Sequence, residues 1–283
     1  MKTWLKIFLI GLALWAATVA VTAWTENTNL VPTVVLLGSF LVPVTFVVWA
    51  YGRHRSQEVT VELLFTAFVV GGVLGVLGAS ILESWLLKPS LWTYVGVGLI
   101  EEGVKLLALM FVTRHLTKRT TRDGLVLGAT VGFGFAAFES AGYAFNALFT
   151  REGLSLSQAV ETEVLRGLLA PLGHGLWTAI IGGVLFAGGG ITVRLVLTYL
   201  GVSMLHALWD SMRGLAIALT LLFTGKSWQF DALRIGQVPQ ATNGQVNLYT
   251  ALDWIGLVVI SVIALMWLRS IDRSARHGVP RPT

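Results

Sequence analysis

The chain has no cysteine among its 283 residues and carries few charges, with only 12% Asp, Glu, Lys or Arg. The absence of cysteine excludes disulfides, thiol nucleophiles and cysteine-ligated metals. The charged fraction is about half of the roughly 25% that soluble domains usually have. So few charges could not cover the surface of a soluble domain of this size. The sequence therefore excludes a soluble enzyme, a disordered chain and a nucleic-acid binder.

Hydrophobic residues make up 55% of the chain, and the mean hydropathy is +0.75. They form eight blocks of about the 20 residues that a membrane-spanning helix needs. Strands of a membrane β-barrel would be shorter and would alternate in polarity, which these blocks do not do. We predict an all-α, polytopic membrane bundle of about eight helices that forms a single integral-membrane domain over 1–283. The predicted spans are 4–24, 30–51, 59–82, 91–113, 124–149, 167–188, 193–223 and 250–268.

Three stretches carry additional local signals. Lys2 and Lys6 precede the first apolar block, as in a signal peptide, but the block is long for one, so a retained helix is predicted. The seventh block is long, and a break near Arg213-Gly214 is expected. Between the fifth and sixth blocks, 155–166 has helical spacing and is expected to lie along the outer membrane interface.

Glycine is abundant, with 31 residues, and two pairs of glycines stand four residues apart within predicted spans. They are Gly71 with Gly75 and Gly128 with Gly132. Small residues at this spacing let helices approach closely, so these pairs predict ordinary packing within the bundle.

Basic residues predict the orientation, because cytoplasmic loops of membrane proteins carry an excess of Lys and Arg. The two terminal segments and the loops 52–58, 114–123 and 189–194 hold 13 of the 20 basic residues. The connections on the other side hold five. Both termini are therefore predicted to be cytoplasmic, with 269–283 as a basic cytoplasmic tail.

Several ionisable side chains fall inside the predicted spans, where a charge costs about 2.5–3.5 kcal/mol. With a rise of about 1.5 Å per residue, Glu101, Glu139, His174 and His206 reach one depth in the outer half of the membrane from four different spans. An interior polar site is the expected reason for such residues. The candidate site residues are Glu101, Glu102, Lys105, Glu139, His174, His206 and Asp210.

Spacing pairs several of these side chains. Glu101 and Lys105 stand four apart on one helix face, so Lys105 can neutralise one of two adjacent carboxylates while the other acts as a base. His206 and Asp210 also stand four apart, so Asp210 can accept from one ring nitrogen and fix the tautomer. The structural alternatives are an ion pair that joins helices and, for His174, a packed and hydrogen-bonded side chain.

Two mechanisms that activate water could use this set of residues. A carboxylate can deprotonate water while histidines or Asp210 stabilise the oxyanion, and no cofactor is then needed. Alternatively, two histidines and a carboxylate can hold one zinc ion with an open position, with His174, His206 and Glu139 as the candidate ligands. Hydrolysis is the expected reaction. Proton-coupled transport uses the same residue types and is a second hypothesis.

Four motifs, in order along the chain, resemble the PrsW family of bacterial intramembrane proteases. They are Glu101-Glu102-x-x-Lys105, Phe135-x-x-x-Glu139, Pro171-x-x-His174-x-x-Trp177 and His206-x-x-Trp209-Asp210. The resemblance covers about 100–210, and 91–223 are predicted to form the catalytic core helices. The related CAAX prenyl endopeptidases have histidine in place of Glu139 and asparagine in place of Asp210, so the motifs favour PrsW.

The resemblance implies an intramembrane endopeptidase that cuts a single-pass membrane protein, such as an anti-sigma factor, near its outer face. It implies a multi-pass protein of the bacterial cytoplasmic membrane, with the lipid bilayer as its surroundings. Glu101 would activate water, with Glu102 as its neighbour and His174, His206 and Asp210 lining the site. The family name implies a metalloprotease, whereas the CAAX branch is similar to glutamate-type proteases, and the motifs leave both open.

A non-catalytic membrane scaffold is a third hypothesis. The wider superfamily includes the polytopic scaffold subunit of γ-secretase, which keeps two membrane histidines without being the protease. The presence of both Glu101 and Glu102 argues for an enzyme in this chain.

Overall fold

A computed structural model describes residues 1–54, 56–151 and 153–276, and this part of the chain is almost entirely helical, as predicted. A two-residue strand pair, β1 (Phe149–Thr150) and β2 (Gly153–Leu154), forms an antiparallel hairpin. The α-helices of the described residues are α1 (Thr3–Thr25), α2 (Val31–Arg53), α3 (Val61–Val69), α4 (Gly75–Leu86), α5 (Thr93–Val112), α6 (Thr121–Ala147), α7 (Leu156–Leu169), α8 (His174–Gly188), α9 (Val193–Thr224), α10 (Ser227–Arg234) and α11 (Asn243–Arg276).

The helices form a polytopic membrane bundle, and seven helical stretches of the described chain are long and apolar enough to cross a bilayer. The prediction of eight spans differs at α5, which is 20 residues long but carries Glu101, Glu102 and Lys105 and is therefore less apolar. The seven stretches are Thr3–Thr25, Thr28–Arg53, Val61–Leu86, Thr121–Ala147, Leu156–Gly188, Val193–Thr224 and Asn243–Arg276.

The structure corrects three predicted boundaries. The expected break near Arg213-Gly214 is wrong, since α9 is continuous. The predicted span 167–188 is divided, because a 3₁₀ turn over Ala170–Leu172 separates α7 from α8. The last helix extends beyond 250–268 at both ends and includes 269–276 of the predicted tail. Residues 277–283 and Arg55 lie outside the described residues.

Helix ends follow from local capping signals. The side chain of Thr120 accepts from the backbone N–H of Asp123, whose carboxylate accepts from the backbone N–H of Thr120, and this capping box begins α6. The side chain of Thr192 caps α9 by accepting a hydrogen bond from the backbone N–H of Leu195. Gly189 ends α8 with a φ of 70°, a left-handed conformation that glycine adopts without steric cost.

The centre of the bundle is the contact between α6 and α8. Gly124, Gly128 and Gly132 lie four residues apart on one face of α6, and a Cβ at any of them would overlap a backbone carbonyl of α8. At Gly132 that carbonyl belongs to His174. The predicted close packing of the glycine pairs is confirmed, since Gly71 also meets the α6 backbone.

The outer helices pack onto this centre. Helix α7 contacts α2 and α6, so the helix predicted at 155–166 exists and is packed on the bundle. Trp15 of α1 donates from Nε1 to the buried carboxylate of Glu163 in α7 over 2.9 Å. This bond ties the first helix to the rest of the fold.

Gly132→Ala is expected to lower the free energy of unfolding by about 1–3 kcal/mol, because the added methyl displaces the start of α8. Gly142→Ala is the matched control, since Gly142 lies in the same helix with open space around it. There, the helix propensity of alanine predicts a gain of up to about 1 kcal/mol. Unfolding of both purified variants in detergent measures the difference. Equal shifts would contradict the close approach at Gly132.

Candidate active site

All seven residues predicted for the site lie in one connected cluster. Each of the seven residues takes part in at least one pair that joins a carboxylate oxygen to a lysine or histidine nitrogen of the set at less than 4 Å. Helices α5, α6, α8 and α9 supply them, as the depth estimate from the sequence predicted.

Lys105 is the buried cation of the cluster. Its Nζ lies 2.7 Å from Oε1 of Glu102, 3.5 Å from Oε2 of Glu101 and 2.8 Å from Nδ1 of His174. The ammonium also lies 4.3 Å from the centre of the Phe135 ring. The shortest ion pair is therefore with Glu102, which leaves Glu101 as the less engaged of the two adjacent carboxylates.

His174 is the first residue of α8 and contacts two charged groups. Its Nε2 lies 3.1 Å from Oε2 of Glu139, and its Nδ1 lies 2.8 Å from Lys105. A carboxylate only accepts and an ammonium only donates, so the Nε2–H of His174 donates to Glu139 and Nδ1 accepts from Lys105. These two neighbours together select one tautomer.

His206 is buried among three carboxylates. Its Nδ1 donates to Oε1 of Glu102 over 3.0 Å, and its Nε2 lies 3.3 Å from Oδ2 of Asp210 and 3.7 Å from Oε2 of Glu101. The predicted proximity of His206 and Asp210 is confirmed. Asp210 shares the orientation of the ring with Glu102, which the sequence did not predict and which binds the other ring nitrogen at a shorter distance.

Glu101 and the two histidines form the one group among the described residues that could hold a metal ion. Their ligand atoms all lie within 4.8 Å of one another, and Oε2 of Glu101 is 3.8 Å from Nδ1 of His174. The predicted ligand set had Glu139 as its carboxylate. In the structure Glu139 instead pairs with Arg166 and with Nε2 of His174, the ring nitrogen opposite the one that faces Glu101.

A cavity of about 90 Å³ opens beside this cluster. Trp177 lines this cavity, and its ring centre lies 4.7 Å from that of His206 and 5.4 Å from that of His174. The side chain of Asp210 is 29% exposed and that of Glu102 is 0% exposed, so access is from the Asp210 side. The cavity lining includes Glu139, Tyr143, Arg166, His174, Trp177, Trp209 and Asp210.

Some residues of the site were missed by sequence reasoning. Arg166 and Tyr143 line the cavity, but the sequence placed Arg166 among the external basic residues and gave Tyr143 no role. The available signal for Arg166 was its position two helical turns before His174. That signal is weak, because the predicted span begins at 167 and therefore leaves Arg166 just outside the membrane.

The fold and the site together define a multi-pass helical membrane protein with a buried carboxylate–histidine cluster of the type that can activate water. The family model of the PrsW family intramembrane metalloproteases matches residues 59–232. The match covers more than half of the chain, which therefore belongs to the PrsW family, as its motifs predicted.

A curated relative, Protease PrsW of Halalkalibacterium halodurans, is 26% identical over 133 residues. The matched region is 47% of this chain and 57% of the length of that relative. No solved structure matches the chain.

Proposed function

We propose that the chain is an intramembrane endopeptidase that hydrolyses a peptide bond of a membrane protein near the outer face of the bilayer. The observation that carries the proposal is the position of Oε2 of Glu101, 3.8 Å and 3.7 Å from one nitrogen of each histidine. These separations exceed a direct hydrogen bond and leave a polar position between three groups that can hold and deprotonate water. Membership of the PrsW family supports the same reaction.

In the proposed reaction Glu101 takes a proton from water as the water oxygen attacks the carbonyl carbon of the scissile bond. The same proton then passes to the leaving nitrogen as the C–N bond breaks, so that the carboxylate is regenerated. His206 lies beside this position and, with a proton on Nε2, stabilises the oxyanion, while Asp210 offsets the charge of the ring. Lys105 offsets the charge of Glu102 and so keeps the second carboxylate out of the reaction.

The proposed substrate is a single-pass protein of the bacterial cytoplasmic membrane, with an anti-sigma factor as the leading example. A transmembrane helix shields its own carbonyl groups, so the substrate segment has to unwind before attack. The cavity lined by Glu139, Tyr143 and Asp210 offers polar partners for the unwound backbone.

The donor set also fits a zinc ion. Two histidines and one glutamate are a known ligand set of catalytic zinc, and Glu101, His174 and His206 bring one ligand atom each within 4.8 Å of the others. Bound zinc would supply Lewis-acid activation of water. Lys105 would have to release Nδ1 of His174, because its Nζ lies 2.8 Å from that nitrogen.

The test is to map new protein termini in bacterial membranes that contain the wild-type chain or the His206→Ala variant. We expect fragments whose new ends lie in the outer half of transmembrane segments, and at least a 100-fold loss of these fragments with His206→Ala, because its ring lies in the polar centre. His115→Ala is the matched control, since His115 is an exposed loop histidine. Identical fragments from wild type and His206→Ala would contradict the proposal.

A further inference from the structure

Arg166, in the last turn of α7, is tied to three side chains of α6. Its Nη2 donates to Oε2 of Glu139, and its Nε donates to Oγ of Ser140 over 2.7 Å. The guanidinium carbon lies 4.2 Å from the centre of the Tyr143 ring. Two donors directed at two neighbouring acceptors, with an aromatic ring alongside, use the planar shape of arginine rather than its charge alone.

The carboxylate that Arg166 binds is also the partner of His174. Oε2 of Glu139 accepts from Arg166 and lies 3.1 Å from Nε2 of His174. The opposite nitrogen, Nδ1, is the one that lies 3.8 Å from Oε2 of Glu101. Arg166, Glu139 and His174 therefore form a continuous chain that ends at the proposed water position.

Lys105, the other buried cation of this region, contacts His174 but does not bind Glu139. Its ammonium lies within ion-pair distance of Glu101 and Glu102 on its own helix. Among the described residues, the ion pair of Glu139 with an arginine or lysine is the one with Arg166. Without Arg166, Glu139 would keep only His174 as a hydrogen-bond donor in the described part of the chain. A largely buried carboxylate without its cation is no longer held in place, and its movement toward water removes the acceptor for Nε2–H of His174.

We infer that Arg166 is a positioning residue, which holds the carboxylate of Glu139 and, through it, the orientation of the His174 ring. Its kinetic consequence rests on the proposed protease function, but the orientation of the ring does not. Partners that orient a reactive or ligating histidine typically change activity about 10–100-fold when they are replaced.

The first experiment reads the ring directly and needs no substrate. Protein labelled with ¹⁵N-histidine has five histidines, and His174→Gln assigns the signal of His174. We expect the wild-type ring to carry its proton on Nε2 in a hydrogen bond to Glu139. Arg166→Gln is expected to shift the ¹⁵N and ¹H signals of Nε2–H toward those of a ring without this bond, while Lys105 keeps Nδ1 unprotonated. Arg151→Gln, which changes an exposed arginine of the hairpin, is the matched control and is expected to leave the signal unchanged.

The second experiment is a kinetic double-mutant cycle between Arg166 and Glu139. Arg166→Gln is expected to reduce kcat about 10–100-fold with KM changed less than about two-fold, and Arg166→Lys to recover part of the loss. Because Arg166 acts through Glu139, adding Arg166→Gln to Glu139→Gln is expected to cause no further loss. Ser140→Ala removes one anchor but keeps the ion pair, and serves as the milder variant if Arg166→Gln does not fold.

The outcomes separate the two proposals. An Nε2–H signal of His174 that is unchanged in Arg166→Gln, or additive losses in the cycle, would overturn the positioning role. A wild-type protein that cleaves nothing would contradict the protease function, while the ¹⁵N measurement would still decide the role of Arg166.

Discussion

Glu101→Gln is expected to reduce kcat for peptide-bond cleavage by about 10²–10⁴-fold, which is the usual contribution of a general base. Glutamine has almost the same shape as glutamate, so the packing around Lys105 and the two histidines should survive. What is lost is the ability to take a proton from water at the position between His174 and His206. A non-catalytic scaffold would tolerate this change, so retention of full biological function by Glu101→Gln would favour the scaffold hypothesis.

Metal analysis of the same preparations distinguishes the two proposed mechanisms. If Glu101 binds zinc, Glu101→Gln lowers both the zinc content and the activity, and a chelator inactivates the wild-type protein. If Glu101 acts only as a base, the activity falls while the metal content and the response to chelator stay as in the wild type. Glu161→Gln is the matched control, because Glu161 is an exposed glutamate of α7 and is not one of the site residues. A similar loss in Glu161→Gln would show that the assay responds to charge rather than to the site.

Lys105→Met is expected to lower the free energy of unfolding by about 3–5 kcal/mol, the cost of leaving a buried charge without its partner. Both Lys105 and Glu102 are 0% exposed, and their ion pair is 2.7 Å long. Methionine fills much of the space of the lysine chain but leaves the carboxylate of Glu102 without its cation. Activity is expected to be lost as well, since Lys105 also donates to Nδ1 of His174.

The double variant Lys105→Met/Glu102→Gln tests the cause of that loss. Replacing both partners of a buried ion pair costs much less than replacing one, so the double variant is expected to recover most of the stability. Unfolding in detergent measures the three proteins, with Lys88→Met in the exposed α4–α5 loop as the control. Equal instability of the single and double variants would show that Lys105 contributes by packing rather than by charge.

The architecture could be predicted from the sequence because the spanning signal is local. A helix of about 20 consecutive apolar residues is long enough to cross the bilayer core wherever it occurs in the chain. A charged side chain within such a helix costs free energy and therefore indicates a functional site. For that reason the all-α bundle and the set of seven residues that meet in one cluster could both be predicted. The sequence predicted α5 as a span in spite of Glu101, Glu102 and Lys105, and in the structure these three side chains are buried.

Partners within the cluster could not be predicted, because they depend on how far each helix is rotated about its axis. Depth follows from a count of residues, but the direction of a side chain follows from packing. The glycine contacts between α6 and α8 set the position of His174, and this position directs His174 toward Glu101 and Lys105. For the same reason Glu101 replaces Glu139 in the potential metal set, and Glu102 is the closest partner of His206.

The sequence by itself thus determined the class of fold, the predicted depth of the site and the chemical types that build it, since hydropathy and charge act locally along each helix. The tertiary structure decided which carboxylate meets which histidine, and it alone brought Arg166 of the external segment into the site. It also decided that α9 continues through Arg213, where the sequence predicted a break. A glycine within a helix costs only about 1 kcal/mol relative to alanine. At this point the side chain of Met212 also packs against Gly256 of α11, which stabilises the continuous α9.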